Sequence, residues 1–270
     1  MSILERLSFN QATSERSSLP DVVEACARHE IPYVSLWRHK IAETGLDRAA
    51  RLVRDAGLEV SSVCRGGMFP AATREERESR IDDNRRAVDE AATLGAEVLV
   101  LVCGAAPDRD IAGARAMVAD GIAAVAPYAA ERGVTLGVEP LHPAFAAERS
   151  CVTTLREARV LAERFPLGAV GVVADVYHIW WDPELFAELE AAAPRLAAYH
   201  VNDWLVPQTN VLLGRGMMGD GRIDLPPIRA AVERAGYVGP IEVEIFNEAI
   251  WALPLDELLP LVKRRFAAHV

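Results

Sequence analysis

One pattern narrows the fold of this chain more than any other: a short apolar run followed by a longer stretch of 3.6-residue periodicity, repeated eight times. The short runs lie near residues 6–10, 33–37, 59–64, 97–103, 135–139, 169–175, 196–201 and 241–246 and read as strands. The amphipathic stretches lie near 19–29, 45–56, 73–94, 111–132, 154–164, 183–191, 225–235 and 255–268, each long enough for a crossover helix. Such alternation predicts an α/β protein, a closed parallel (β/α)8 barrel. Boundary signals agree: Asp182-Pro183 opens a helix, and Gly236 and Gly239-Pro240 precede the eighth strand. No linker or low-complexity stretch interrupts the pattern, so residues 1–270 are expected to form one domain. The longest irregular connection, roughly Asn202 to Asp224, holds Gly214, Gly216, Gly219 and Gly221 and should border the barrel mouth.

Composition then bounds the chemistry. A hydrophobic content of 51% supplies a large core, while a net charge of -10 argues against a phosphate-backbone partner and for a small-molecule one. The segment MSILERLSFN lacks the apolar core of a signal peptide and nothing marks a membrane span, so a cytoplasmic, membrane-free protein is expected. Cys26, Cys64, Cys103 and Cys151 are widely spaced, which fits buried thiols rather than a zinc site or disulfides. Lys40 and Lys263 are the only lysines, and neither ends a strand, which disfavours Schiff-base chemistry.

Four polar side chains end apolar runs in the second half: Glu139 in LGVEP, Asp175 in GVVADVYH, His200 in LAAYHVND and Glu244 in IEVEIFN. A buried charge costs several kcal/mol unless paired or metal-bound, so four on successive strands point to one shared site at the barrel mouth. Three carboxylates and an imidazole suit one divalent cation, Mn²⁺ first, with Mg²⁺, Co²⁺ or Zn²⁺ as alternatives. Glu242 shares a strand face with Glu244 at a different depth. Asp203 is expected to orient a ligand or substrate, and Asn202 to shape the turn.

The stretches EPLHP (139–143), DVYH (175–178), HVND (200–203), RGMMGDGRID (215–224) and GPIEVEIFNE (239–248) fall in order on these strands. In this the chain resembles the xylose-isomerase-like TIM-barrel superfamily of sugar isomerases and epimerases, over nearly its whole length. The resemblance to its ketose 3-epimerases implies that Glu139, Asp175, His200 and Glu244 bind the metal and that His178 and Arg215 contact substrate. It also implies a sugar or polyol substrate and a homo-oligomer, and a reaction begun by proton abstraction beside a carbonyl. Glu139 and Glu244 are then the expected catalytic pair, one removing the proton and the other returning one. Trp37, Trp180, Trp204, Arg65 and His142, all just past strand ends, are further expected substrate contacts. Asp220 in the glycine-rich loop would repel phosphate, favouring an unphosphorylated substrate. Where ketose epimerases place a further acidic contact after the fifth-strand ligand, this chain has Leu141, His142, Pro143, Ala144 and Phe145.

Three alternatives remain open at this point. A lyase or dehydratase of the same superfamily, acting on an inosose, a keto-acid ring or a 3-keto-glycoside, would share the enediolate. A sugar-binding barrel would lack turnover. Endonuclease-IV-like repair would need a histidine-rich trinuclear zinc site, whereas only His29, His39, His142, His178, His200 and His269 exist here, in an acidic chain.

Overall fold

A computed structural model describes residues 2–270. Eight parallel strands close a barrel: β1 (Leu7–Asn10), β2 (Tyr33–Trp37), β3 (Glu59–Gly67), β4 (Val98–Val102), β5 (Thr135–Glu139), β6 (Val170–Asp175), β7 (Leu196–Val201) and β10 (Ile241–Val243), in the order β1-β10-β7-β6-β5-β4-β3-β2. Between β7 and β10 an antiparallel ribbon pairs β8 (Asp203–Trp204) with β9 (Arg215–Gly216). The fold class read from the alternation is therefore the one observed.

Packing explains why the strands alternate as they do. In β4, Leu99 and Leu101 join the large outer core beneath the helices, while Val98 and Val100 pack with Cys64, Val173 and Ala198 in a separate small cluster. Each fully buried Leu contributes about 1.5–3 kcal/mol. Gly137 of β5 fits between the walls: a Cβ there would lie 2.8 Å from Val173 Cγ2 and 3.0 Å from Val98 Cγ1. The helices start where the sequence provides caps; Thr73 and Glu76 form a reciprocal capping box on α4 (Arg74–Leu94).

Some boundaries differ from expectation. The eighth strand stops at Val243 rather than 246, leaving Glu244 just beyond it. The connection expected to be irregular is organised instead by one side chain. The buried Asp203 carboxylate accepts hydrogen bonds from the backbone amides of Trp204 (2.8 Å), Gly219 (3.0 Å), Gly221 (2.7 Å) and Ile223 (3.0 Å). Gly221 is required there, because a Cβ would collide with Trp204 O and with Asp203 itself.

Candidate metal centre and substrate cavity

Strand register assembles the site. Glu139 and Asp175 are the last residues of β5 and β6, and Asp175 pairs in register with His200 of β7, which pairs with Glu242 of β10. One ligand atom each from Glu139, Asp175, His200 and Glu244 falls within 4.8 Å of the others, and all four residues are buried. His178 follows one turn later on α7 (Val176–Ile179), and Arg215 enters from the ribbon.

The hydrogen bonds around these groups are uneven. Asp175 Oδ1 accepts from Asn202 Nδ2 (3.0 Å) and the Tyr177 amide (2.9 Å). Arg215 Nη1 donates to Asp175 Oδ2 (2.7 Å) and Glu244 Oε2 (2.9 Å). Its guanidinium lies between the Tyr177 and Phe246 rings, 4.7 and 4.8 Å from their centroids. Glu139 Oε1 and both His200 nitrogens, by contrast, are buried without a hydrogen-bond partner. His200 Nδ1 lies 3.6 Å from Glu139 Oε1 and 3.7 Å from Glu244 Oε2, and Nε2 lies 3.2 Å from Glu242 Oε2. Unpartnered buried polar atoms are costly, and a cation among them removes that cost. The cluster can therefore hold a divalent metal.

Charge follows the same map. Burial, then the neighbouring Glu244, pushes the Glu139 carboxyl up to about 8. Burial opposes ionisation of Asp175 as well, but Arg215 and His178 outweigh it and hold its pKa at about 2. Burial disfavours a charged His200, yet Glu242 and Glu244 overcome this and raise it to about 10. The charges that would hold a cation here hold a proton on this ring. Burial lowers His178 to about 3, leaving it neutral. Its Nδ1 accepts from the His142 amide (3.1 Å), so Nε2 carries the hydrogen, and it faces Arg215 Nη2 at 3.2 Å. Two donors thus converge on one point that calls for an acceptor.

Above the cluster lies a cavity lined by Trp37, Arg65, Phe145, Arg149, His178 and Arg215 among others, together with Glu139 and Glu244. A larger depression of about 570 Å³, with Tyr33, Glu59, Ser61 and Glu97 in its wall, lies at the opposite, N-terminal end of the strands. In barrels of this kind, chemistry is built at the C-terminal end. Of the expected substrate contacts, Trp37, Arg65, His178 and Arg215 line the mouth cavity, whereas Trp180, Trp204 and His142 do not. Those three form an aromatic stack beside it: His142 to Trp204 at 5.0 Å, Trp180 to Trp204 at 5.8 Å, and Trp204 against Tyr177 at 4.7 Å.

Two expectations about neighbouring residues are reversed. Asn202, not Asp203, touches a ligand-bearing carboxylate, while Asp203 shapes the loop. Asp220 is absent from the cavity wall and pairs with Arg265 of the C-terminal helix, so it gives no reason to exclude a phosphorylated substrate. Arg149, Leu212 and Phe246 line the cavity without having been singled out from the sequence. Arg149 and Leu212 sit in irregular segments whose path no periodicity reveals.

Comparison with known proteins agrees with this architecture. The chain belongs to the xylose isomerase-like TIM barrel family, whose model matches residues 23–264. It is 29% identical over 88% of its length to a 3-dehydroshikimate dehydratase of Pseudomonas aeruginosa, of which it spans only 37%. It is 26% identical to the ketose 3-epimerase of Arthrobacter globiformis, over 87% of this chain and 75% of that one. Among solved structures, protein SMc04130 of Sinorhizobium meliloti 1021 is 47% identical, with a TM-score of 0.96 over 98% of both chains. The relatives named for a reaction are enzymes of this superfamily. None of the helices of the described residues is long and apolar enough to cross a membrane.

Proposed function

We propose that the protein is a metal-dependent isomerase or epimerase of polyhydroxylated ketones, acting by proton abstraction beside the carbonyl. The observation that carries this reading is the convergence of Glu139, Asp175, His200 and Glu244 within 4.8 Å at the mouth, below a cavity that Glu139 and Glu244 also line. A divalent ion held by these four residues would supply Lewis-acid stabilisation of negative charge on substrate oxygens; Mn²⁺ suits the donor set best.

The chain's own groups perform the proton chemistry. Glu139, in the wall of the cavity, takes the carbon-bound proton once a cation beside it keeps the buried carboxyl ionised. Glu244, just beyond β10 and in the same cavity wall, returns a proton. Delivery to the opposite face gives an epimer, and delivery to the neighbouring carbon gives an isomer. His178 Nε2–H and the Arg215 guanidinium donate to substrate oxygens, filling the point where the two donors now face each other. Trp37 and Phe246, packed edge to face at 5.6 Å, shield one side of the cavity.

A dehydratase is the second reading. The likeness to 3-dehydroshikimate dehydratase favours it, as does Phe145, an apolar wall in the segment after Glu139 where ketose epimerases would have an acidic contact. Both reactions begin with the same abstraction. The test is NMR of the Mg²⁺-loaded protein in D₂O with a panel of ketoses, inososes, keto-acid rings and 3-keto-glycosides. Deuterium beside the carbonyl with a new isomer supports the first reading, and deuterium with loss of water or aglycone supports the second. No exchange with any member, repeated with Mn²⁺ and read by chromatography, would overturn both.

A further inference from the structure

Resting on that reading of the site, we propose that Arg65 and Arg149 bind a carboxylate carried by the substrate, so that the enzyme acts on an acidic polyhydroxy ketone rather than a neutral sugar. Both arginines line the mouth cavity with Glu139 and Glu244, and both are half-buried. Neither makes a side-chain hydrogen bond or ion pair among the described residues, although the chain carries 39 acidic groups against 29 basic ones. Their basic neighbours are all engaged. Arg215 bridges Asp175 and Glu244, Arg38 pairs with Asp83 and Glu90, and Arg80 donates to Met68 O.

The energetics favour an anion at this place. Burial, and then the like charges of Arg65 and Arg215, push the Arg149 guanidinium down from its usual range. An anion between the two arginines offsets that repulsion and both desolvation costs, and a planar guanidinium matches a carboxylate with paired N–H···O bonds. The Arg149 side chain is steadied by the Phe145 ring, 5.8 Å from its guanidinium carbon, and its backbone by the Gly104 amide, which donates to Arg149 O (3.0 Å).

A carboxylate fits better than a phosphate. Phosphate sites recruit free backbone amides, and those nearby are already committed: Gly67 N to Asn84 Oδ1 (2.6 Å), Met68 N to Val102 O (2.7 Å) and Gly104 N to Arg149 O. Glu139 and Glu244 in the same cavity would also oppose a dianion more strongly than a monoanion.

The test uses three probes that differ only at carbon six: D-fructose, D-fructuronate and D-fructose 6-phosphate. Each is titrated calorimetrically into Mn²⁺-loaded wild-type protein and into R65M/R149M. The expected result is that wild type binds D-fructuronate at least tenfold more tightly than D-fructose or the phosphate, and that R65M/R149M loses this preference. Equal affinities in wild type, a preference for the phosphate, no binding of the acid, or a preference that survives in R65M/R149M would each overturn the proposal. The wild-type comparison does not depend on the variant folding, and the single variants R65M and R149M repeat it with half the change. Acid-selective binding without C–H exchange would count against the proposed reaction and leave the anion site standing.

Discussion

The two halves of the barrel interior are built from different materials. Beneath Glu139, Asp175 and His200, on β4 to β7, the inward side chains are small and apolar: Val98, Val100, Gly137, Val173 and Ala198. Beneath Glu244, on β1, β2, β3 and β10, they are polar and joined, except for Cys64 of β3, which packs with the apolar set. Ser8 meets Ser61 (2.7 Å), Ser35 meets Ser62 (2.8 Å), Asn10 donates to Ser35 (3.1 Å) and Glu242 (3.3 Å), and Ser61 donates to Glu242 (3.0 Å). The apolar half gives its carboxylate no donor from below, which is why Glu139 keeps an unpartnered oxygen and a raised pKa. The polar half holds its acids by hydrogen bonds, and Asn10 reaches Glu244 as well (3.3 Å). His200 stands on the seam, Nδ1 towards Glu139 and Glu244, Nε2 towards Glu242.

The division can be broken from either side. The largest effect is expected from Glu139→Gln, which removes the proposed base on the apolar half: deuterium uptake should slow by about 10²–10⁴-fold with the thermal midpoint no lower than wild type. Unchanged uptake would remove Glu139 from the chemistry. On the polar half, Glu242→Gln takes the charge from the acceptor facing His200 Nε2 and should weaken Mn²⁺ binding about 10- to 100-fold by calorimetry. Val100→Ala, its apolar counterpart, should leave Mn²⁺ affinity unaltered; an equal loss in both would mean that the halves do not differ in how they support the ligands. Gly137→Ala inserts a methyl against Val173 and Val98 and should cost about 1–3 kcal/mol in chemical denaturation, and a neutral result would show that the apolar wall yields freely.

A further effect concerns pH. His178 has its folded pKa depressed to about 3 from an ordinary 6.5, so below 6.5 the unfolded chain binds a proton that the folded one refuses. Its neutral burial is therefore fully tolerated above 6.5 and increasingly costly as pH falls towards 3. Asp175 acts in the same direction in a lower window, from 3.8 to about 2. His178→Asn should flatten the loss of stability between pH 6.5 and 3, measured by denaturant midpoints. A profile parallel to wild type would exclude His178 as its source.

The barrel was legible because period and length separate strand from helix in every repeat, and the four clustered side chains because each is an ionisable group at the end of an apolar run. What stayed hidden depends on chain paths that no local pattern records. Asn202 and Asp203 are adjacent, and which one turns towards Asp175 is decided by amides 16 to 20 residues away that claim the Asp203 carboxylate. Arg149 is one exposed-looking arginine among many until the turn after Pro143–Phe145 carries it to the mouth. Trp180 and Trp204 follow strands as Trp37 does, yet they pack on each other, because Tyr177 offers Trp204 a ring at 4.7 Å.

The Asp203 clasp has an evolutionary consequence. Because one carboxylate fixes Gly219, Gly221 and Ile223, and the ribbon fixes Arg215 and Gly216 opposite Trp204 and Asp203, the segment 205–214 hangs from two secured ends, with one tie between them where the Tyr177 hydroxyl donates to Val211 O (2.7 Å) and accepts from Gln208 Nε2 (3.0 Å). It reaches the cavity through Leu212 and contains no member of the ligand cluster. Such a segment can be lengthened, shortened or exchanged while the ionic machinery keeps its spacing, so the mouth is divided between an inherited engine and a replaceable rim. New cavity shapes can then be sampled by swapping the rim, without rebuilding the strands that carry the acidic cluster.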